Sequence, residues 1–302
     1  MRRRDFIKNT SAATTFTSIA GTSLLSSKAP VNKHLTILHT NDVHSHIEAF
    51  PANDPNYADQ GGVSRRLSLI QKIRNENPNT LLFDAGDIFQ GTPYFNFYGG
   101  ELEIKLMSML QYDAATVGNH DFDNGVGGLA AQMPNADFKM LSANYDFSNT
   151  LMEGLTQSYT IYNRAGIKIG VFGLGIELDG LVDLKMYKET KYIDPLDIAQ
   201  DTTRILKKEE NCDLVICLSH LGYQYQSDKI SDLRLAEQTQ DIDLIIGGHT
   251  HTFLPKPTMA KNKSGKNVLI NQVGWAGINL GRIDFYFDDK ENIGSSGTVI
   301  NV

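Results

Sequence analysis

The sequence contains little cysteine, little tryptophan and no long apolar run past its first thirty residues. Among its 302 residues there are two cysteines, Cys212 and Cys217, and one tryptophan. Two cysteines cannot form the dense disulfide framework of a small secreted domain. Five positions apart on one strand they would face opposite sides, so we expect two small buried thiols rather than a bridge. Because no later stretch could span a bilayer, we predict no membrane anchor.

Basic residues are also scarce relative to acidic ones. The chain carries a formal net charge of −7, and its first 29 residues hold five basic residues and one acid, a net +4, which leaves −11 for the rest. An acidic surface repels a nucleic-acid backbone, so we predict no nucleic acid as a partner. A small phosphate ester is compatible with this charge, because bound divalent cations dominate the field of a site.

The first 29 residues have the pattern of a targeting segment. Arg3-Arg4-Asp5-Phe6-Ile7-Lys8 is a twin-arginine pattern, and it is followed by a weakly apolar stretch, 11–25, and a small-residue end, 27–29. We therefore predict a twin-arginine signal peptide over residues 1–29 and export to the periplasm. A disordered basic N-terminus is the alternative. No cysteine closes the segment, so we do not expect a lipoprotein anchor.

Past residue 30, short apolar runs alternate with helical patterns, as in an α/β fold. Six runs are typical of buried strands: 35–38, 80–83, 114–117, 167–172, 214–218 and 244–246. Helical patterns lie between them, at 62–77, 101–111, 127–132, 196–210 and 231–240. Residues 267–272 and 281–287 alternate like antiparallel strands. The pattern predicts two sheets flanked by helices.

Five short fragments place metal-ligating side chains directly after strand-like runs. They are Asp42-Val43-His44, Gly86-Asp87, Gly118-Asn119-His120-Asp121, Ser219-His220 and Gly247-Gly248-His249-Thr250-His251. Each fragment alone is a weak signal, because a lone histidine at a strand end is usually structural. The carboxyl ends of strands meet at one crevice in sheet-and-helix folds, so we expect these fragments to converge. Imidazole mixed with carboxylate and amide oxygen suits zinc, manganese, iron or cobalt better than calcium or magnesium.

The spacing within the fragments indicates two ions. Two divalent cations about 3.5–4 Å apart clamp the attacking and leaving oxygens of a phosphoryl displacement. A shared carboxylate offsets their repulsion, and we assign it to Asp87. Asp42 and His44 are spaced i, i+2, so at the end of a strand both side chains would point the same way. His249 and His251 repeat that spacing after two glycines that permit a sharp turn.

Four neighbouring features have two interpretations each. His46 either lines the site or caps the turn, and we favour the turn. Asp84 more readily supports the loop by hydrogen bonds than binds metal. Residues 61–66 form either a phosphate cradle or a helix start whose arginines pair with surface acids, and we favour the helix start. We expect Trp275 to pack near the site rather than to stack on a substrate.

Three longer stretches resemble the 5′-nucleotidase family of calcineurin-like metallophosphoesterases. They are Leu35–Ile47, Gly86–Pro93 and Tyr112–Asp123. The resemblance runs from about His34 to the end of the chain, and motifs of this length are specific. One departure is Asp121, where the family more often has Glu. We expect little consequence, because that residue is not a ligand in the family.

The resemblance implies the metallophosphoesterase fold, a four-layer α/β/β/α sandwich of two mixed sheets, over residues 30–302. It implies one metal held by Asp42, His44, Asp87 and His251, and a second held by Asp87, Asn119, His220 and His249. It also implies that His120, oriented by Asp123, lies beside the pair as a catalytic group. A charged imidazole there would stabilise the phosphoryl group or protonate the leaving oxygen.

The sequence therefore predicts a metal-dependent phosphoric ester hydrolase, most readily one acting on nucleoside 5′-monophosphates. The alternatives are a cyclic-nucleotide phosphodiesterase or nucleotide-sugar hydrolase on the same metal centre, and a non-catalytic binding module that keeps the fold. Family members often carry a second, C-terminal domain that recognises the nucleoside, whereas this sequence stops at Val302. We hypothesise that a separate chain supplies that domain, which would make this a split 5′-nucleotidase.

Overall fold

The computed structural model describes residues 33–302, so the predicted signal peptide lies outside the described residues. Strands and helices alternate along them. The strands are β1 (Lys33–Thr40), β2 (Thr80–Asp84), β3 (Ala114–Thr116), β4 (Lys139–Leu141), β5 (Tyr145–Asp146), β6 (Tyr159–Arg164), β7 (Ile167–Leu174), β8 (Lys191–Tyr192), β9 (Leu214–Ser219), β10 (Leu244–Gly247), β11 (Thr258–Lys261), β12 (Asn267–Asn271), β13 (Asn279–Asp288) and β14 (Glu291–Asn301). The helices are α1 (Val63–Glu76), α2 (Pro93–Tyr98), α3 (Glu101–Met109), α4 (Gly125–Gln132), α5 (Leu184–Tyr187), α6 (Pro195–Arg204) and α7 (Asp232–Gln238). A π-helical turn, Ile205–Glu209, extends α6.

Two six-stranded mixed sheets form the centre of the fold. The first has the order β14-β13-β1-β2-β3-β4, and the second has the order β11-β12-β10-β9-β7-β6. Strands β1 to β4 run parallel, with the β13–β14 hairpin antiparallel at one edge. In the second sheet β7, β9, β10 and β12 run parallel, with an antiparallel strand at each edge. The predicted mixed sheets are thus confirmed.

Three apolar cores separate four layers. On β9, the alternate residues Leu214 and Ile216 join the core between the two sheets, whereas Val215 and Cys217 join a core under α6 and α7. A third core lies between the first sheet and helices α1, α3 and α4. Successive residues of a strand point to opposite faces of the sheet. Both sets are buried here, because each sheet is covered on both sides. The α/β/β/α sandwich that the resemblance implied is confirmed.

We had expected the two cysteines to face opposite sides of one strand, and the structure shows that they do not. Cys212 lies in the loop before β9, where the strand pleat does not apply, and it packs in the same core as Cys217. Both thiols are free and buried. Burial raises the pKa of both thiols, which keeps them protonated and unreactive.

The start of α1 corrects a second expectation. The glycines before it lead into a helix from Val63, as predicted. Arg65 reaches only the backbone carbonyl of Asp59. Arg66, 4% exposed, packs its guanidinium against Gly277 instead of pairing with a surface acid. It faces inward because α1 turns that side toward the first sheet.

The five predicted fragments all follow the carboxyl ends of strands. β1, β2 and β3 of the first sheet each end just before one of them, and β9 and β10 of the second sheet each end on the first residue of one. The two sheets therefore deliver their fragments to a common edge, the usual position of a site in such folds. None of the described helices combines the length and the apolar character needed to cross a membrane.

Candidate metal centre

The structure brings all seven predicted ligands together. Two groups of ligand atoms form, and they share Asp87: one is Asp42, His44, Asp87 and His251, and the other is Asp87, His220 and His249. Within each group, the atoms lie within 4.8 Å of one another. The amide oxygen of Asn119 joins the second group, 2.8 Å from His249 Nδ1. The grouping equals the two ligand sets implied by the resemblance.

One carboxylate oxygen of Asp87 faces both groups. Its Oδ2 lies 3.2 Å from Nε2 of His220 and 3.7 Å from Nε2 of His44. The other oxygen, Oδ1, accepts the backbone N–H of His120 at 2.8 Å. That hydrogen bond fixes the carboxylate while leaving Oδ2 for the space between the groups. Asp87 therefore lies where a carboxylate that bridges two ions would lie.

The tautomer of His220 leaves the lone pair of Nε2 without a hydrogen-bond donor. Its Nδ1 lies 2.6 Å from the carbonyl oxygen of Ala85, and a carbonyl only accepts, so Nδ1 carries the hydrogen. Nε2 is fully buried and has no hydrogen-bond partner of acceptable geometry, although the Asp87 carboxylate lies beside it. Burial lowers the pKa of His220, but Asp87 and Asp42 outweigh burial and raise it to about 10. The position thus requires a cation, either a proton or a metal.

His44 gives the same indication. Its Nδ1 faces the carbonyl oxygen of Phe89 at 3.2 Å, which leaves Nε2 as the acceptor. That Nε2 lies 3.0 Å from Nε2 of His251, which in turn lies 3.5 Å from Asp42 Oδ1. Imidazole lone pairs and carboxylate oxygens that face one another repel unless a proton or a metal ion lies between them. Divalent ions fit this donor set.

Five of the seven ligands have left-handed backbone. The φ angles are 49° at Asp42 and His44, 56° at Asp87, 73° at His249 and 50° at His251. The i, i+2 pairs therefore converge through left-handed turns, and our explanation from the strand pleat was wrong. Each such residue costs about 1–3 kcal/mol, and strain of this kind concentrates at functional sites.

Hydrogen bonds between the loops hold this strained backbone. Asp42 N donates to Gly86 O at 2.9 Å, and His44 N donates to Asp87 O at 3.0 Å. His249 N donates to Asp42 Oδ1 at 2.9 Å. The loops pack so closely that a Cβ on Gly118 would lie 2.2 Å from Asp87 Oδ1, so only glycine fits there. Contacts between the loops therefore fix the arrangement of the candidate ligands.

The predicted catalytic pair lies at the exposed side of the centre. His120 Nδ1 is 2.8 Å from Asp123 Oδ2, and their side chains are 39% and 30% exposed. The hydrogen bond that His120 Nδ1 donates to Asp123 raises the pKa of His120, and this effect outweighs the lowering by burial. Because Nδ1 is engaged, Nε2 is the ring atom available to a substrate. His120 is in neither group of ligand atoms.

The family model for calcineurin-like phosphoesterases matches residues 35–253. This chain belongs to that family. The calcineurin-like phosphoesterases are metal-dependent phosphoric ester hydrolases, the class that the sequence predicted. The match spans every fragment of the centre, from Asp42 to His251.

Individual relatives of this calcineurin-like phosphoesterase include nucleotidases. The trifunctional nucleotide phosphoesterase protein YfkN of Bacillus subtilis is 33% identical over 288 residues, 85% of this chain and 18% of that protein. The 5′-nucleotidase of Rattus norvegicus is 34% identical over 289 residues, 87% of this chain and 48% of that protein. The 5′-nucleotidase precursor of Thermus thermophilus superposes with a TM-score of 0.81 at 33% identity, over 89% of this chain and 54% of that one. The chain spans about half the length of the last two relatives.

One functional residue of this phosphoesterase was underestimated from sequence. Asp121 is fully buried, and its carboxylate accepts four backbone N–H groups. Three come from Asp87, Ile88 and Phe89, at 3.2, 2.9 and 3.1 Å, and one comes from Gly118 at 2.7 Å. Asp121 thereby ties the Asp87 loop to the Asn119 loop. Three of these N–H groups belong to residues more than thirty positions before Asp121, so the sequence around Asp121 does not reveal them.

We expect Asp121→Ala to weaken both metal binding and folding. It leaves four buried N–H groups without an acceptor, at about 1–3 kcal/mol each if they stay dry. Loss of such a supporting contact lowers metal affinity by about 10–100-fold. Zinc affinity and the unfolding midpoint measure both effects. Asp121→Glu, which keeps both oxygens, is the matched control and should stay close to wild type. Unchanged zinc affinity in the alanine variant would contradict this role.

The remaining features take the positions that we favoured. His46 donates its Nδ1 hydrogen to the carbonyl of His44, at 2.9 Å, and lies outside both ligand groups. Asp84 accepts from Gly86 N at 2.9 Å and from Thr40 Oγ1 at 2.5 Å, so it supports the loop. Trp275 packs beside the site.

Proposed function

We propose that this chain hydrolyses phosphate monoesters and that nucleoside 5′-monophosphates are its preferred substrates. The observation that carries the proposal is the shared Asp87 oxygen, set between two groups of candidate ligand atoms. A structural metal site would enclose one ion, whereas paired sites with a bridging carboxylate are typical of phosphoryl chemistry. The exposed His120 and His251 leave one side of the centre open to a substrate.

Each proposed ligand has one task. Asp42, His44 and His251 would hold one ion, Asn119, His220 and His249 would hold the other, and Asp87 would bridge them. Bound divalent ions supply Lewis acidity and a water that ionises near neutral pH. Zinc, manganese, iron or cobalt fit this set of imidazoles and oxygens.

His120 would act on the substrate directly. Asp123 holds its Nδ1, which fixes the orientation of the ring and favours the imidazolium. The charged ring would stabilise the phosphoryl oxygens or give its Nε2 proton to the departing oxygen. A catalytic His–Asp pair of this kind argues against a non-catalytic binding module.

Nucleotides are favoured by the relatives. The Bacillus relative is named as a nucleotide phosphoesterase and the Rattus and Thermus relatives as 5′-nucleotidases, each at 33–34% identity. Those two 5′-nucleotidases are about twice as long as the region matched here. We propose, from the exposed apolar surface described next, that a separate chain contributes to nucleoside recognition.

An apolar surface beside the catalytic pair offers a place for that chain. Phe97 and Tyr98 at the end of α2 are 81% and 53% exposed, and Leu184 on α5 is 63% exposed. Gly99, which follows α2, lies against Asn124, and Met186 of α5 lies against Gly125, just after Asp123. Exposed apolar patches of this kind mark interaction sites.

A substrate panel tests the proposal. The full chain, reconstituted with zinc, manganese or cobalt, should turn over p-nitrophenyl phosphate and AMP, and AMP faster than cyclic nucleotides or nucleotide sugars. Adding a candidate recognition chain should raise kcat/KM for AMP and leave the rate with p-nitrophenyl phosphate unchanged.

The variant Phe97→Ser/Leu184→Ser separates the two parts of the proposal. It should lose the gain from the added chain while keeping the rate with p-nitrophenyl phosphate. A high kcat/KM for AMP that no added chain alters would refute the split enzyme. No hydrolysis of any phosphate ester with any of the three metals would refute the enzyme itself.

We also propose export to the periplasm, which rests on the twin-arginine pattern of residues 1–29. Cell fractionation should recover the mature protein in the periplasm with a shortened N-terminus. Retention of the full-length chain in the cytoplasm would contradict export.

A further inference from the structure

The imidazoles of the proposed metal centre are oriented in different ways. His44 and His220 each face a backbone carbonyl through Nδ1, which orients the ring and leaves Nε2 for an ion. His251 has no such partner among the described residues, and its side chain is 40% exposed. Its backbone is also left-handed, at φ 50°. Metal-binding histidines normally need a contact on the far side of the ring to fix its orientation.

An indole supplies a contact to His251. The ring planes of Trp275 and His251 are parallel within 2°, with centroids 5.9 Å apart. This is the offset parallel arrangement that aromatic rings prefer. A tilt of the imidazole would break both this stacking and the approach of Nε2 to Asp42 and His44.

The indole is itself held in place on its other sides. His46, Phe50 and Tyr57 contact it edge-on, with centroids 5.2, 6.0 and 6.0 Å away, and Trp275 Nε1 donates to the Tyr57 hydroxyl at 3.5 Å. We call these three residues the aromatic wall. A ring packed by three others cannot rotate without displacing them.

The backbone around Trp275 is tied to the same ligands. Ala276 N donates to the carbonyl of Asp42 at 2.8 Å, and Gly274 N donates to the carbonyl of Thr252 at 3.0 Å. The Trp275 loop therefore joins the segment that carries Asp42 to the segment that carries His251. The position of the Trp275 loop is therefore tied to the geometry of the centre.

We propose that Trp275 is a positioning residue, which holds the ring of His251 in the plane needed to bind the first ion. The inference rests on the proposed metal centre and adds a support that the ligand motifs do not contain. The stacking on Trp275, which the aromatic wall holds in place, would replace the hydrogen bond to a carbonyl that orients His44 and His220.

The single tryptophan gives a direct measurement. Because Trp275 contacts a ligand, Co²⁺ added to the metal-free full chain should quench the indole fluorescence saturably. Zn²⁺ lacks an open d shell and should quench far less. If two equivalents of Zn²⁺ bind but Co²⁺ leaves the fluorescence unchanged, the inference is overturned and the metal centre stands. If no ion binds at all, the proposed function fails instead.

Substitutions test the positioning role. Trp275→Leu removes the aromatic face and keeps most of the bulk, so Zn²⁺ affinity, measured by competition with a chromophoric chelator, should fall by about 10-fold or more. Trp275→Phe keeps a stacking ring and should rescue most of that affinity. Should the leucine variant fail to fold, the phenylalanine variant and the Co²⁺ titration decide the matter. An unchanged Zn²⁺ affinity with a raised KM in the leucine variant would mean that Trp275 contacts the substrate, which overturns positioning.

Discussion

In the Asp87→Ala variant, the bound divalent metal should be lost. Turnover of p-nitrophenyl phosphate should then fall by about 10³-fold or more, because the electrostatic stabilisation of the phosphoryl group depends on the metal. The reason is geometric. Asp87 is the one residue common to both groups of ligand atoms, and its Oδ2 lies near Nε2 of both His220 and His44. Metal content per chain and kcat/KM on the same preparation measure the effect.

The matched control is Asp84→Asn, a buried carboxylate three residues earlier. An asparagine there keeps an oxygen that can accept the N–H of Gly86, so a neutral amide is a close substitute. Asp84 lies outside both ligand groups, so this variant should keep its metal and most of its turnover. Retention of metal and rate in Asp87→Ala, or their equal loss in both variants, would contradict the bridging role.

The second large effect is expected at His120. His120→Ala should lower kcat by about 10²–10⁴-fold, the usual contribution of a positioned general acid. Metal content should not change, because the contact of His120 with Asp87 is made by its backbone N–H, which alanine keeps. Asp123→Asn should give a smaller loss, since it leaves the imidazole in place but removes the carboxylate that favours its charged form.

Steady-state kinetics and metal analysis on the same samples separate these outcomes. A wild-type kcat in His120→Ala would rule out the role assigned to this residue. Loss of metal in that variant would instead place the side chain among the ligands.

Sequence patterns predicted the interior strands and the convergence of the ligands well. Apolar runs such as Leu214–Leu218 are long enough to show period-two burial, and each ligand fragment directly follows one. The strands missed from sequence include β6 and β14 at the sheet edges. Their polar and half-exposed residues, as in Glu291–Asn301, lack the apolar run by which a buried strand is recognised.

The geometry of the ligands could not be derived from spacing. The pairs Asp42 and His44, and His249 and His251, suggested a strand pleat, yet all four residues have left-handed backbone. That conformation is uncommon for residues other than glycine, and here hydrogen bonds between loops distant in sequence hold it. The conformational preferences of the local sequence do not predict such bonds, because their partners are distant in the chain.

The supporting residues were the least predictable part of the site. Asp121 gathers N–H groups from residues more than thirty positions away, and Trp275 meets His251 only through the folded chain. Arg66 appeared to be a surface cation in sequence but is buried. Such contacts depend on tertiary packing, whereas the ligands themselves follow from residue type and strand ends.

The most direct test of the metal centre is anomalous diffraction from crystals of the full chain grown with Zn²⁺. We predict two anomalous peaks, one on each side of the Asp87 carboxylate. The first should lie among Asp42, His44 and His251, and the second among Asn119, His220 and His249. A single peak, or peaks away from Asp87, would contradict the two-ion centre.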